Sequence, residues 1–366
     1  MTLAFAILLV VHGLIHLLGV AKAFELAELP QLAEPISPVS GVFWLTAAVL
    51  CLAAAGSLLV WPRGWWVVGA CALLVSVVVI LSSWSDAKFG LIPNGLLLVG
   101  VVFGFLSQGP YSLRAEYDKD RERLLSKAQE NVITEADLSH LPLAAQRYIR
   151  LTGAVGRPRV DNFRARIHGR IRSSSDARWM PLVAEQYNFA REPARLFYMT
   201  SSMLAIPVQG YHRYVGGSAS MRVKAAALVP VATASGAEMA QSETVTLLND
   251  MCIMAPATLI DPAITWKALD AHRVKVKFSN AGYAIQAELS FSDTGELTNF
   301  VSDDRYQASP DGRTMRRVRW STPVHSYRSF AGARLAAAGE GRWHEPGGEY
   351  AYIELMIDDV EYNVPA

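Results

Sequence analysis

Charge is what this chain has least of. Only 18% of its 366 residues are charged, and 34 basic against 33 acidic side chains leave a net charge of +1. No global electrostatic attraction to nucleic acid or to an anionic surface follows from that balance. Three cysteines exclude a disulfide scaffold; Cys51 and Cys71 fall inside apolar runs, and Cys252 has no cysteine partner in the rest of the chain, which suits a reducing compartment. With 26 Gly and 18 Pro, collagen-like and low-complexity classes drop out as well. Local catalytic motifs are also missing. Gly216-Gly217-Ser218-Ala219-Ser220 has the serine of a nucleophile elbow without the following glycine, and His344-Glu345 runs into Pro346, which stops a metal-binding helix. There is no phosphate loop, dinucleotide fingerprint, paired C-x-x-C or aromatic-interleaved basic platform, so no cofactor and no nucleic-acid partner is expected.

Long apolar runs are what the chain does have. Hydrophobic residues make up 51% of it, with a mean hydropathy of +0.20. Residues 1–110 hold only seven charges, Lys22, Glu25, Glu28, Glu34, Arg63, Asp86 and Lys88. Between them lie four apolar stretches near 2–23, 41–61, 65–83 and 90–108, each about the 20 residues that cross a bilayer. The first lacks the basic start of a secretory leader and is read as a retained anchor. Trp61, Trp65, Trp66 and Trp84 stand at the ends of the runs, as an aromatic belt requires. Arg63, Arg114, Lys119, Arg121, Arg123 and Lys127 would share one side, against Lys22 and Lys88 on the other. This asymmetry predicts a multi-pass protein of the cell membrane with its C-terminal region in the cytoplasm, although long domains also cross membranes regardless of charge.

No carboxylate or basic group falls in the middle of a run, which argues against an ion-coupled transport path. Gly100 and Gly104, and the Ala53–Gly56 series, are small residues suited to close helix approach. His12 and His16, spaced i, i+4, face one side of the first helix. They are weak candidates for holding a metal; polar bonding between helices is the favoured reading, and no metal is expected.

Residues 111–133 form a mixed-charge run without an apolar stripe, read as a solvated connector. Thr134 and Asp137 suggest a capping box, and Pro142 with Ala145, Tyr148, Ile149 and Leu151 a short amphipathic helix. From Val160 the apolar period changes to two: Phe163, Ala165, Ile167 and Ile171 alternate with Arg164, Arg166, His168, Arg170 and Arg172. Similar alternation recurs in 221–225 and 274–278, with further strand-like runs at 182–189, 196–201, 208–214, 283–291, 297–301, 314–320, 325–330 and 350–360. Turn sequences such as Gly216-Gly217, Ala281-Gly282 and Asp311-Gly312 separate them. One helix is expected near 236–252, capped by Ser235 with Glu238. The expected architecture is therefore a four-span helical membrane domain (1–110), a charged connector (111–133), and an α+β domain (134–366) built on a large antiparallel curved sheet or half-open barrel.

Several of these segments resemble a bacterial family known as a domain of unknown function: Gly153–Val160, Trp179–Gln186, Tyr214–Gly217, Met221–Lys224, Leu228–Val231, Ser235–Glu238 and Asp304-Arg305-Tyr306. The first run, with His12-Gly-Leu-Ile-His16 and Lys22-Ala-Phe24, looks like the membrane region attached to some members. The resemblance covers most of the chain and implies a curved sheet of the lipoprotein-carrier type. It departs at Cys252-Ile-Met-Ala-Pro256, where the family has an aromatic and Phe-Pro.

Three sets of candidate residues follow. A curved open sheet needs a filler on its apolar face, either its own helix or a ligand, so Met239, Leu248, Met251 and Ile253 are expected to line or plug a lipid or acyl-chain site. Arg164, Arg166, Arg170 and Arg172 either meet lipid headgroups or a partner, or pair across strands with acids such as Glu354, Asp358 and Glu361. Glu185, His212 and Asp304 would carry the chemistry if the domain were an enzyme with a dispersed site; for Glu185 an arginine partner, and for Asp303-Asp304 an ion pair or turn cap, is the simpler role. Binding of a hydrophobic ligand leads; a membrane-bound enzyme and an assembly module without ligand are the alternatives, and the oligomeric state is open.

Overall fold

The protein is described here by a computed structural model covering residues 2–126 and 131–366. Lys127, one of the basic residues used for orientation, and part of the 111–133 run lie outside the described residues. The chain divides into two compact units, Met1–Glu116 and Tyr117–Ala366.

The first unit is helical. Helices α1 (Thr2–Ala23), α2 (Pro38–Val60) and α3 (Trp65–Ser82) are followed by a single turn α4 (Trp84–Ala87), a 3-10 turn, and α5 (Leu91–Gln108). Among the described residues four helices are long and apolar enough to cross a membrane, at the places the apolar runs predict. Proline at the first position and Ser37 Oγ, which accepts from Ser40 N–H at 3.2 Å, start α2. Small side chains fill the contacts: Ala47, Ala48, Cys51, Ala54, Ala55 and Ala72 are buried, while many leucines, valines and isoleucines face outward. Helix α1 comes close to α2 at Gly13, where an added Cβ would lie 3.1 Å from both Ala48 O and Cys51 Cβ.

The second unit begins within α6 (Leu113–Leu124). Here the expectation of a solvated connector is corrected. Tyr117 is fully buried against the rings of Tyr187, Tyr198 and Tyr211, and Asp120 accepts from Tyr211 OH at 2.9 Å and Arg213 Nε at 2.8 Å. A single tyrosine and a single aspartate three residues apart make a docking face too narrow to read as an apolar stripe. The Thr134–Asp137 capping box forms, on a 3-10 turn, and α7 (Leu143–Leu151) follows Pro142.

Thirteen strands then build one antiparallel, curved and unclosed sheet. Their chain order is β1 (Asn162–Ile171), β2 (Met180–Phe189), β3 (Ala194–Met203), β4 (Ile206–Val215), β5 (Ser218–Ala225), β6 (Val229–Ser235), then β7 (Ile264–Ala268), β8 (Arg273–Asn280), β9 (Tyr283–Phe291) and β10 (Leu297–Ser302). A small separate hairpin, β11 (Tyr306–Ala308) with β12 (Met315–Arg317), precedes β13 (Arg319–Phe330), β14 (Ala333–Glu345) and β15 (Gly348–Tyr362). In space the order is β6-β5-β4-β3-β2-β1-β15-β14-β13-β10-β9-β8-β7. Two meanders are thus joined at the β1–β15 seam, and β6 and β7 are the free edges. At the seam Gly169 has no room for a side chain, since a Cβ would lie 1.9 Å from Glu354 O. Helix α8 (Ala237–Met254) connects edge β6 to edge β7, packing on the strands of both halves, and is buried nearly all round.

Local differences from the sequence reading have physical causes. Ser235 does not cap α8; it ends β6 paired with Ser220, and Gly236, at φ 97°, makes the turn into the helix. The single run read over 314–320 is divided between β12 and the start of β13, and 325–330 continues the same strand β13. Strands β6, β7 and β14 escape a periodicity reading because Pro230, shortness and the run Leu335-Ala336-Ala337-Ala338 hide their alternation.

Candidate functional site

Between α8 and the sheet lies a cavity of about 160 Å³. One face of α8 supplies Glu243, Thr246, Asn249, Asp250, Ile253 and Met254, spaced three and four residues apart. From β3 come Arg195, Phe197 and Met199, alternate residues of one strand face. Ile167 and Ile171 of β1 and Ile353, Leu355 and Ile357 of β15 complete an apolar wall. Along both α8 and β3 the lining therefore passes from charged to apolar.

The charged end is a buried network. Arg195 donates through Nε to Asp250 at 2.7 Å and through Nη1 to Glu243 at 3.1 Å, with all three side chains at most 8% exposed. Asp250 Oδ2 also accepts from Gln186 Nε2 at 2.7 Å and Asn188 Nδ2 at 3.2 Å. Thr322 Oγ1 donates to Asn249 at 2.5 Å, and His212 Nδ1 lies 3.5 Å from Glu243. Buried charges persist only when paired and hydrogen-bonded in this way. Burial opposes the charge on Glu243, yet Arg195 and His212 bring its carboxyl down to about 2. Burial dominates at Asp250 and raises its carboxyl above the usual range, with Arg195 and Asn188 pulling the other way.

The candidates named from sequence fall in different places. Ile253 lines the cavity, but Met239 and Leu248 do not; they belong to the core on which α8 packs. Met251 lines a separate hollow of about 20 Å³ with Phe163, Asn188 and Phe189. Glu185, His212 and Asp304 do not converge. Only His212 reaches the cavity; Glu185 pairs with Arg164 at 2.7 Å, and Asp304 accepts from Gln286 N–H at 2.7 Å and pairs with Arg317. Asp303 lies 3.4 Å from Arg319. In the basic stripe, Arg166 pairs with Asp359 at 2.9 Å and Arg170 with Glu354 at 2.6 Å, both across the seam. Arg172 donates to Ala351 O at 2.8 Å and lies over the Trp179 ring. A second hollow of about 430 Å³, lined by Thr152, Arg157, Pro256, Glu361 and Tyr362, has its charged side chains at the surface.

In the first unit His12 and His16 are both buried. His12 Nε2 lies 3.0 Å from Asn94 Oδ1, and His16 Nε2 lies 2.9 Å from Ser76 Oγ, so both rings do bond to neighbouring helices.

The chain thus combines a bundle of apolar helices with an open antiparallel sheet whose spanning helix closes over a half-polar, half-apolar cavity. Residues 131–355 match the model of a family described as "Family of unknown function (DUF6544)", and the protein belongs to that family. No curated protein matches it. Among solved structures, it is similar to a LolA superfamily protein from Nitrosomonas europaea at 10% identity and a TM-score of 0.33, covering 60% of this chain and 94% of that one. A putative outer membrane lipoprotein-sorting protein domain from Vibrio parahaemolyticus gives 8% identity and 0.29, covering 55% and 85%. A DUF1329 family protein from Desulfovibrio piger gives 9% and 0.32, covering 61% and 93%.

Proposed function

We propose that this protein is a membrane-anchored binding protein that holds a hydrophobic ligand, a lipid or single acyl chain, between α8 and the sheet. The observation that carries this reading is the graded lining of the cavity. Ile167, Met199, Ile253 and Ile357 offer a chain an apolar wall, while Arg195, Glu243 and Asp250 offer a polar group fixed partners. At about 160 Å³ the cavity is smaller than the roughly 300 Å³ at which small-molecule pockets begin, and near the ~150 Å³ that accommodates a benzene-sized guest. It therefore suits one chain segment rather than a whole two-tailed lipid. The four apolar helices keep the binding unit at a bilayer, and the basic residues Arg114, Lys119, Arg121 and Arg123 favour the cytoplasmic side.

Full-length protein purified in detergent, extracted and examined by lipid mass spectrometry, should release a hydrophobe in near-stoichiometric amount. Ala338→Phe, which places a ring in the cavity wall, should reduce that yield and weaken binding of a fluorescent fatty acid at least severalfold. Absence of any co-purifying hydrophobe, together with fatty-acid binding unaffected by Ala338→Phe, would overturn the reading.

A further inference from the structure

The two histidines of α1 do more than bond to their neighbours. Asn94 Oδ1 can only accept, and it is reached both by Ser76 Oγ at 2.9 Å and by His12 Nε2 at 3.0 Å. His12 Nε2 also lies 3.2 Å from Ser76 Oγ; with the Ser76 hydroxyl donating to Asn94, His12 carries its proton on Nε2. Ser76 Oγ, its proton spent, must in turn accept from His16 Nε2 at 2.9 Å. With Asn94 Oδ1 as the acceptor, both imidazoles are Nε2–H tautomers whose lone pairs lie on Nδ1. Neither Nδ1 finds a partner among the described residues, although His12 is 3% and His16 1% exposed. The close approach at Gly13 brings Cys51 of α2 to the same spot: a nitrogen of each ring and Cys51 Sγ lie within 4.8 Å of one another. Trp44 covers His16, the ring centroids 5.3 Å apart.

We propose that His12, His16 and Cys51 form a binding site for a soft monovalent cation, cuprous ion being the class that fits. Metal-ligating histidines commonly donate their second ring N–H to a fixed acceptor, as both do here. Sulfur and imidazole together select a soft metal. Charge decides between metals: one thiolate, two neutral imidazoles and a +1 ion sum to zero, whereas a divalent ion leaves a net +1 among apolar helices, at considerable cost. Binding replaces the Cys51 S–H bond by a metal–sulfur bond and releases one proton to solvent. With metal–ligand bonds of about 2.0 Å to nitrogen and 2.3 Å to sulfur, a linear nitrogen–metal–sulfur span is at most about 4.3 Å. Three ligands around one ion cannot all be opposed, so from separations of up to 4.8 Å closing the site takes a movement of about 1 Å.

The test uses full-length protein in detergent under anaerobic conditions, titrated with Cu(I) in competition with a colorimetric chelator. The expected result is one copper per chain, with an X-ray absorption spectrum of two nitrogens and one sulfur. Cys51→Ala, which exchanges one small side chain for another beside Ala47, Ala48, Ala54 and Ala55, should weaken binding at least tenfold and remove the sulfur shell. Cys71→Ala, at an exposed cysteine, should change neither. Substoichiometric copper, affinity unchanged in Cys51→Ala, or preferential retention of zinc over copper would each overturn the proposal.

Discussion

Arg195 holds two acids that sit two helical turns apart on α8, and the consequences of removing either differ. Glu243→Gln removes one of the two carboxyls that face a buried guanidinium and should cost about 3–5 kcal/mol in denaturant unfolding. Glu185→Gln breaks an ion pair with Arg164 nearer the surface and should cost about 1 kcal/mol or less. The acid response follows from the same geometry. Because the Glu243 carboxyl is lowered from 4.5 to about 2 in the fold, its contribution is complete above pH 4.5 and disappears as pH falls toward 2. Asp250 shifts the opposite way, so its protonation offsets part of that loss. Unfolding curves recorded by circular dichroism between pH 5 and 2 should therefore fall more steeply for the natural protein than for Glu243→Gln. Equal slopes would mean that Glu243 is not the ionised partner of Arg195.

At the scale of elements, α8 and the β1–β15 seam depend on two glycines. Gly236 turns at φ 97° and ψ −170° with open space around the missing Cβ, so Gly236→Ala should cost only backbone strain, on the order of 1–3 kcal/mol. Gly169→Ala meets the Glu354 carbonyl and must push the seam apart; a much larger loss of melting temperature is expected there. Elements of this kind differ in how far the sequence announces them. The alternation from Phe163 to Ile171 and the four apolar runs reappear nearly residue for residue as β1 and the long helices. Strand β14 did not show itself, because its alanines fit any periodicity. The cavity was legible only in part. Attention to the apolar residues of α8 found Ile253 but led to Met239, Leu248 and Met251, which face the core or a different hollow. The informative pattern was the polar one: Glu243, Thr246, Asn249 and Asp250 fall at helical spacing within an element that has almost no exposed face. Their partner Arg195 lies about fifty residues away on β3, so no local reading joins them.

For the whole molecule, the helical unit and the sheet unit are separable in composition and in packing. Seven charges in residues 1–110 against sixty in the remainder is a division that hydropathy alone exposes. The side of the membrane taken by the sheet is a prediction at this scale: a reporter fused after Ala366 should be active as a cytoplasmic fusion and silent as an exported one. The opposite pattern would reverse the assignment while leaving the cavity intact. Cys51 illustrates why the helical unit was harder to read than its apolar runs suggested. Nothing in a run of alanines around one cysteine points to His12 and His16; the Gly13 crossing does, and crossings are a property of the assembled bundle.

The spatial order of the strands also dictates a schedule. Strand β1 is the first strand made and stands in the interior of the sheet, but its neighbour β15 is the last, so one flank of β1 stays unpaired until about 190 further residues have left the ribosome. During that interval a hairpin array ending in an open flank waits beside the translating ribosome, and every ribosome that stalls before Gly348 produces a chain with that flank exposed. Nascent chains halted there should aggregate or bind chaperones, and release of only the final fifteen-residue strand should restore protease resistance to the first meander as well as to the second.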